Sequence, residues 1–447
     1  MGAGPAGMSA AVELRRLRCE VTVIDDQPSP GGRIFAGIET RQPHGREDRS
    51  GATLARHFRE SGGTYLSATE AWQIESGAKV FVTHAGQARV LEADFVLLAV
   101  GAQERPMPFP GWERPGVMTI GAAQILLKTA AQVPREPVWL AGSGPLLLLY
   151  ARQLLDAGGS IAGLLDTTPK GRVWQARGKV YGALRYGWRD MARGLNWLVQ
   201  MRGVRVIRHI VGLEAVGDPT LSSIRYRTAN GVADEVGANL LLIHNGVVPA
   251  IHATLSAGCS HRWNADQQCL EPACDEFGRT SQPDLFVAGD GAAINGARAA
   301  FLSGRLAALG IAHAAGLLPG EEVARSAARL TRVLNDARGF RRLIDTLYPP
   351  VDLDLPDDTM VCRCEEVTAS QVREVLSGRP HLGADGVKMI TRAGMGPCQG
   401  RQCGYTIHRL IRELHGGPPE DAGFLRVRPP LKPLTLGELA SLEAQSA

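Results

Sequence analysis

The apolar and polar positions of this chain fall into strand–helix units that repeat. The run Met8 to Leu17 is compatible with a helix, and the apolar stretch VTVID (Val21 to Asp25) after it reads as a strand. Between residues 79 and 101 the sequence KVFVTHAGQARVLEADFVLLAVG first alternates and then becomes continuously apolar. That pattern predicts a β-hairpin leading into a buried strand, Phe95 to Val100, which ends at Gly101. PMPFPGW (Pro106 to Trp112) follows as a proline-rich crossing segment. Residues 138 to 166 then repeat the opening pattern: VWLAGSG, a helix-like run to Leu155, and the strand IAGLLD ending at Asp166. A third short apolar strand, Leu285 to Ala288, delivers Gly289 and Asp290 to a further helix.

One stretch does not fit this alternation. From Arg172 to Arg208 basic residues interleave with Trp174, Tyr181, Tyr186, Trp188 and Trp197. The plain expectation is a pair of amphipathic helices with the aromatics in the core and the arginines solvated. The surface as a whole is a candidate interface for a partner subunit, an anionic nucleotide or an anionic membrane.

Glycine spacing gives the repeated units chemistry. GAGPAG (Gly2, Ala3, Gly4, Pro5, Ala6, Gly7) has the G-x-G-x-x-G pattern of a dinucleotide-binding βαβ turn. The first glycine allows the tight turn, the second lets backbone N–H groups reach a pyrophosphate, and the third lets helix and strand pack closely. Asp25, 23 residues after Gly2 and followed by Asp26, stands where an acid meets a ribose hydroxyl. Such a unit carries an apolar strand before its first glycine, yet only Met1 precedes Gly2; the expectation is that upstream sequence encodes it. In the second unit Gly142 and Gly144 are present, but Leu147 occupies the third glycine position. That leucine weakens the case for NAD(P)H there and leaves a second nucleotide, NAD(P) or ATP, an open alternative.

Composition narrows the classes. At 447 residues the chain has room for two to four domains, and its net charge of +4 offers no concentrated basic patch for nucleic acid. No apolar run reaches the ~18–20 residues of a membrane-spanning helix. Four of the eight cysteines cluster: Cys362 and Cys364 as C-x-C, then Cys398 and Cys403 as C-x4-C. Between them lie a capped helix candidate (Thr368 to Leu376, closed by Gly378) and the glycine-rich loop RAGMGPCQGRQCG. Four thiolates on two loops suit an iron–sulfur cluster or a structural zinc; zinc more often uses C-x2-C knuckles. The surrounding glycines, which leave N–H groups for cluster sulfurs, favour the cluster. Cys19, Cys269 and Cys274 read as structural, and His244 as packed at a strand end.

SPGGRIF, with Gly32 and Arg33, resembles the Gly-Gly-Arg or Gly-Gly-Gln element of two-dinucleotide-domain flavoproteins. The strand ending at Gly101 resembles the second flavin motif of that superfamily, and Gly289-Asp290 its ribityl-binding pair. Residues 355–415 resemble the [2Fe–2S] domain of bacterioferritin-associated ferredoxin, with Cys362, Cys364, Cys398 and Cys403 at its ligand positions. Together with GSGPLLLL (Gly142 to Leu149), CRCEEVT and TRAGMGPCQGRQCG, the chain resembles the α subunits of heteromeric amino-acid and opine dehydrogenases. Octopine and nopaline oxidase, hydrogen cyanide synthase and hydroxyproline dehydrogenase are of this kind.

The resemblance implies an α/β, glutathione-reductase-like fold. Its FAD domain is split (1–130 and 246–345) around a second dinucleotide-type domain (131–245). A [2Fe–2S] domain (355–415) and a tail (416–447) of a loop and short helix follow. It implies FAD held by Gly2, Gly4, Pro5, Ala6, Gly7, Asp25, Asp26, Gly32, Arg33, Gly101, Gly289 and Asp290. It further implies a partner β subunit containing FAD and similar to D-amino-acid oxidases, with a small third subunit and a respiratory or other acceptor as further candidates. The expected place is the cytoplasm, with the inner membrane reached through the complex. No residue commends itself as a substrate acid or base. The alternatives are a self-contained NAD(P)H-dependent reductase and a non-catalytic scaffold.

Overall fold

The computed structural model describes residues 1–43 and 45–442, without the side chains of residues 184–186. The first unit begins with helix α1 (Pro5–Arg16), capped by Gly4 and opened by a proline whose missing N–H costs nothing at that position. Strand β1 (Thr22–Ile24), helix α2 (Gly45–Glu60) and strand β2 (Thr64–Leu66) follow, with β1 and β2 parallel. A three-stranded antiparallel sheet of β3 (Thr69–Glu75), β4 (Lys79–His84) and β5 (Gln87–Glu92) then leads into β6 (Val96–Leu98) and β7 (Ala102–Glu104).

The second unit is a five-stranded parallel sheet in the order β11-β10-β9-β15-β8. Its members are β8 (Val117–Thr119), β9 (Val138–Gly142), β10 (Ile161–Asp166), β11 (Val206–Arg208) and β15 (Leu241–His244). Helices α3 (Ile120–Ala130), α4 (Pro145–Asp156) and α5 (Arg172–Gln200) supply the crossovers. Every residue of β9 is buried, as a central parallel strand covered on both faces must be. A meander of β12 (Ile210–Val216), β13 (Ser223–Thr228) and β14 (Ala233–Gly237) is inserted before β15.

Strand β16 (Val247–Pro249) pairs with β7 and returns the chain to the first unit. After α6 (His252–Ser256) and the hairpin β17 (His261–Asn264)–β18 (Cys269–Pro272), β19 (Leu285–Val287) lies parallel to β6. The two half-sheets β1–β2 and β6–β19 are bridged by Met1 and Gly2. Gly2 N donates to Ile24 O (2.8 Å), and Met1 O accepts from Ala99 N (2.8 Å). Helix α7 (Ala297–Ala314) packs so closely on α1 that a Cβ on Gly304 would lie 2.1 Å from Ala6 O. Helix α8 (Gly320–Leu347) then spans both units.

The C-terminal part has its own core, in which Val361, Val372, Val387, Ile407 and Leu410 are fully buried. It comprises β20 (Met360–Cys362), β21 (Val367–Thr368), α9 (Ala369–Leu376), α10 (Ala384–Thr391) and α11 (Gly404–His415). Thr368 and Gln371 form a reciprocal capping box at the start of α9.

Residues 172–200 are two helical segments, as expected, which meet at a kink at Gly187, where the Phe340 ring lies too close for a side chain. The expectation for their aromatics is corrected. Trp174, Tyr181 and Trp188 are exposed, because α5 packs on α8 through Ala176, Ala183 and their neighbours. Trp197 is partly buried against the second core, whereas the Tyr186 side chain lies outside the described residues. The tail contains the short helix α12 (Leu436–Ala440), and residues 443–447 lie outside the described residues.

Candidate cofactor sites

Four segments that are distant in sequence meet at the first glycine turn. A Cβ on Gly7 would sit 1.8 Å from Gly2 O, so only glycine lets α1 begin this close to the turn. Gly32 approaches Gly4, where its Cβ would lie 2.9 Å from the Gly4 Cα. Gly289 (φ 72°) faces Ala6 at 2.9 Å by the same measure, and Gly291 faces the Gly101 backbone at 3.4 Å. The turn, the Gly-Gly segment, the end of β6 and the 3-10 turn Gly289–Gly291 thus share one place. A flat, side-chain-poor cradle at the N-terminus of α1 fits a dinucleotide pyrophosphate.

Carboxylates border this cradle. Asp25 accepts from Ala3 N and from Gln27 N (2.7 Å), which fixes the turn to the end of β1. Burial pushes its pKa up, against those two hydrogen bonds. Burial also opposes ionisation of Asp26, but hydrogen bonds from Lys432 and Gln27 outweigh it and leave its pKa lowered. Arg33 is exposed and contributes to that lowering through its charge. Asp290 accepts from Asn295 N (2.9 Å) and Gly296 N (3.0 Å) through one oxygen, Oδ1. Burial raises its pKa. Its other oxygen takes no donor among the described residues, which suits a carboxylate awaiting a sugar hydroxyl.

The four C-terminal thiols also meet. Cys362 and Cys403, both buried, share a hydrogen bond, and Cys364 and Cys398, which are more exposed, share another. The Cys403 bond and N–H groups of Gly394, Glu365 and Cys364 outweigh burial and bring the Cys362 pKa down to about 6; that of Cys403 is pushed up. A Cβ on Gly396 would lie 2.2 Å from Cys364 Cβ, so the loop closes over the thiols only with glycine there. Among the described residues no three His, Cys, Asp or Glu side chains surround a single metal point. Two thiol pairs, one buried and one open, fit the four-thiolate donor set of a two-iron cluster, in which each iron takes two thiolates.

The two sites abut. Gln103, two residues beyond Gly101, donates to Arg401 O (3.2 Å), and His252 Nε2 is 3.1 Å from Gln399 O. Arg401 in turn donates to Cys398 O (3.1 Å) and to Leu431 O (3.3 Å) in the tail. From there Leu431 N bonds Trp72 O (2.8 Å), and Lys432 bridges Asp26 (2.8 Å) and Glu70 (3.1 Å). Sequence reasoning missed these seam residues. Arg401 had a signal, since it lies within the C-x4-C; His252, Gln103 and Lys432 had none.

The second glycine turn is differently equipped. Leu147 is buried in the core of that unit, and Gly144 is faced by Tyr348 Cβ and His244 Cδ2, each at 3.9 Å from a Cβ built there. His244 is packed at the end of β15 and bonds Glu104 (2.8 Å), whose other oxygen accepts from Gly121 N (2.8 Å). Cys259 and Cys269 are buried and Cys274 partly so; burial pushes the pKa values of Cys269 and Cys274 up to about 12. Cys19 is partly buried beside the core. No helix of the described residues is long and apolar enough to cross a membrane.

Residues 1–316 match the pyridine nucleotide-disulphide oxidoreductase family, and residues 360–413 the BFD-like [2Fe-2S] binding domain. The A subunit of opine oxidase from Rhizobium meliloti is 40% identical over 99% of this chain and 86% of its own length. Hydrogen cyanide synthase subunit HcnB of Pseudomonas aeruginosa is 32% identical over 100% and 98%. In fold, L-proline dehydrogenase from P. horikoshii matches with a TM-score of 0.69 at 21% identity, over 98% of this chain and 78% of that one. The cofactors of this class are FAD and a [2Fe–2S] cluster. The chain belongs to the pyridine nucleotide-disulphide oxidoreductase family, as an FAD/[2Fe–2S] subunit of the heteromeric dehydrogenase type.

Proposed function

We propose that this subunit relays electrons in a heteromeric enzyme that oxidises the C–N bond of an amino acid, imino acid or opine. A partner flavoprotein similar to D-amino-acid oxidases carries out the oxidation. When bound, FAD supplies a two-electron carrier and the [2Fe–2S] cluster a one-electron carrier. In this reading Gly2, Gly4, Pro5, Ala6 and Gly7 present backbone N–H groups and close packing to the pyrophosphate. Asp25 and Asp26 border the adenosine ribose, while Gly32, Arg33 and Gly101 line the turn, and Asp290 after Gly289 takes ribityl hydroxyls. Cys362 and Cys403 hold one iron of the cluster, Cys364 and Cys398 the other.

One observation carries the relay reading: the loop bearing Cys398 and Cys403 is hydrogen-bonded through Arg401 and Gln399 to Gln103 and His252, beside Gly101. Both cofactor sites therefore border one seam. The second turn is faced by His244 and Tyr348, with the buried Leu147 at its third glycine position, which favours electrons arriving from a partner over NAD(P)H.

The test is an anaerobic absorbance titration of the purified chain, with NADH and NADPH first and dithionite second. Only dithionite is expected to bleach the flavin and cluster bands. Rapid bleaching by a pyridine nucleotide would establish the self-contained reductase instead, and zinc in place of iron on metal analysis would end the relay reading.

A further inference from the structure

Helix α5 carries two apolar faces, and the fold covers one. Ala176, Val180, Ala183 and Met191 pack toward Phe340 and Leu343 of α8. The other face runs through Trp174, Tyr181, Trp188 and Leu195, which are 69%, 79%, 56% and 62% exposed. A spacing of seven residues is close to two helical turns, so Trp174 and Tyr181 share a face before the kink at Gly187, and Trp188 and Leu195 share a face after it. Exposed large apolar side chains scattered singly need no explanation, but three aromatics and a leucine on the open side of one element do.

Charge and chemistry select what covers it. The helix carries Arg172, Arg177, Lys179, Arg185, Arg189 and Arg193 against the single acid Asp190, a balance of six minus one, or +5. The guanidinium of Arg177 lies 3.9 Å from the centre of the Trp174 ring, and that of Arg189 lies 5.2 Å from that of Trp188. Trp, Tyr and Arg are the residues that dominate protein–protein hot spots, and stacked pairs present flat, pre-ordered units. A second copy of this chain would set +5 against +5. Val173, Leu198 and Val199 of the same helix are exposed beside the aromatics and Leu195, but α8 covers one flank of α5, which leaves a strip bounded by the fold rather than the broad free face that a bilayer takes up.

We infer that the α5 strip Trp174–Tyr181–Trp188–Leu195 is the docking surface for the partner subunit, seated in an apolar groove rimmed by carboxylates. The inference rests on the heteromeric reading above and adds to it the face through which the complex assembles.

The full-length chain, tagged and expressed from its own genome, is purified with its partner flavoprotein, which is identified by mass and by a second equivalent of flavin. The separated subunits are then remixed. Tyr181→Glu combined with Trp188→Glu is expected to weaken association at least 100-fold. Flavin content, cluster absorbance and melting temperature of the isolated chain stay unchanged, because neither side chain is buried. Arg177→Glu with Arg189→Glu is expected to slow association about tenfold at low salt and to flatten its salt dependence. A photoreactive residue at position 181 should crosslink to the partner flavoprotein.

Undiminished affinity in the double glutamate variant overturns the assignment. So does a crosslink to a second copy of this chain, or strip-dependent binding to phosphatidylglycerol vesicles with subunit association unaltered. A wild-type chain that purifies with both cofactors and no second flavoprotein ends the heteromeric reading itself, and the docking surface with it.

Discussion

The two glycine turns are alike at their first position and differ at each later one. Gly2 and Gly142 both lie against the backbone of a neighbouring strand: a Cβ would be 2.4 Å from Ala99 O in one and 1.8 Å from His244 O in the other. At the middle position Gly4 is approached by another glycine, Gly32, but Gly144 is faced by Tyr348 and His244. At the third position Gly7 rests on the turn, while Leu147 points into its own core. The first-turn helical hydrogen bond is 2.9 Å from Met8 N to Gly4 O but 3.4 Å from Leu148 N to Gly144 O. The acids differ too. Asp25 is tied to the turn through Ala3 N, whereas Asp166 bonds Thr168 N outside it. A shared βαβ scaffold thus survives where its anion-binding details have changed, and the fold alone does not tell which turn holds a nucleotide.

Exchanging the third residue tests this contrast most severely. Gly7→Leu forces a Cβ onto Gly2 O, with Ala99 Cβ also 3.3 Å away, and no rotamer moves a Cβ. The expected result is loss of bound FAD, read as the 450 nm to 280 nm absorbance ratio, with most of the protein insoluble. Retention of stoichiometric FAD would show that the close approach of α1 to the turn is not needed. The converse change, Leu147→Ala, leaves a cavity beside Tyr150 and Leu154 and is expected to cost about 2–5 kcal/mol in urea unfolding. FAD content should not change, and NADH should remain unable to reduce the flavin, because Tyr348 and His244 still face Gly144. Gain of NADH reduction by this variant would make Leu147 alone the reason that the second turn differs.

These contrasts explain what the sequence disclosed. Glycine turns, strand-ending glycines and paired cysteines are legible because backbone geometry and ligand chemistry restrict those positions to one or two residue types. The hairpin and strand of residues 79–101 and the strand–helix–strand unit of residues 138–166 were legible for the same kind of reason, whereas the short β7 and β8 and helix α3 between them were not read. The seam between the sites was not, because His252, Gln103 and Lys432 each act through one hydrogen-bonding group that many residue types carry. Nor was the exposure of Trp174, Tyr181 and Trp188. Aromatic residues in a helix read as core unless one knows that a facing helix is already satisfied by Ala176 and Ala183.

A smaller effect separates the two acids. Asp25→Asn turns one acceptor oxygen into a donor and removes the charge facing Ala3 N and Gln27 N. A charge-assisted bond of this kind is worth about 1.5–3 kcal/mol, so FAD should dissociate roughly 10- to 100-fold more readily in dialysis against apoprotein. Asp166→Asn should leave FAD retention at the wild-type level. Equal losses in the two variants would mean that Asp166 acts on the flavin site through the fold and that the turns are coupled.

The smallest effect concerns how each turn is joined to the rest of the chain. Tyr348 covers the second turn, whereas the first is joined to the cysteine loop through His252, whose Nε2 faces Gln399 O. Burial, together with the charge of Arg401 and against the bond to Gln399, lowers the His252 pKa from 6.5 to about 3. Between those values the unfolded chain binds a proton that the folded chain refuses, so stability is lost as the pH falls from about 6.5 toward 3. At pH 5 the loss reaches about 2 kcal/mol. Glutamine keeps a neutral N–H donor for the same carbonyl and does not titrate. His252→Gln should therefore lose about 2 kcal/mol less than the wild type between pH 7 and pH 5 in urea unfolding, all other titrating groups being common to both. Parallel losses in the two proteins would mean that the ring is hydrated when folded, and that the seam beside the first turn is as open to water as the surface of the second unit.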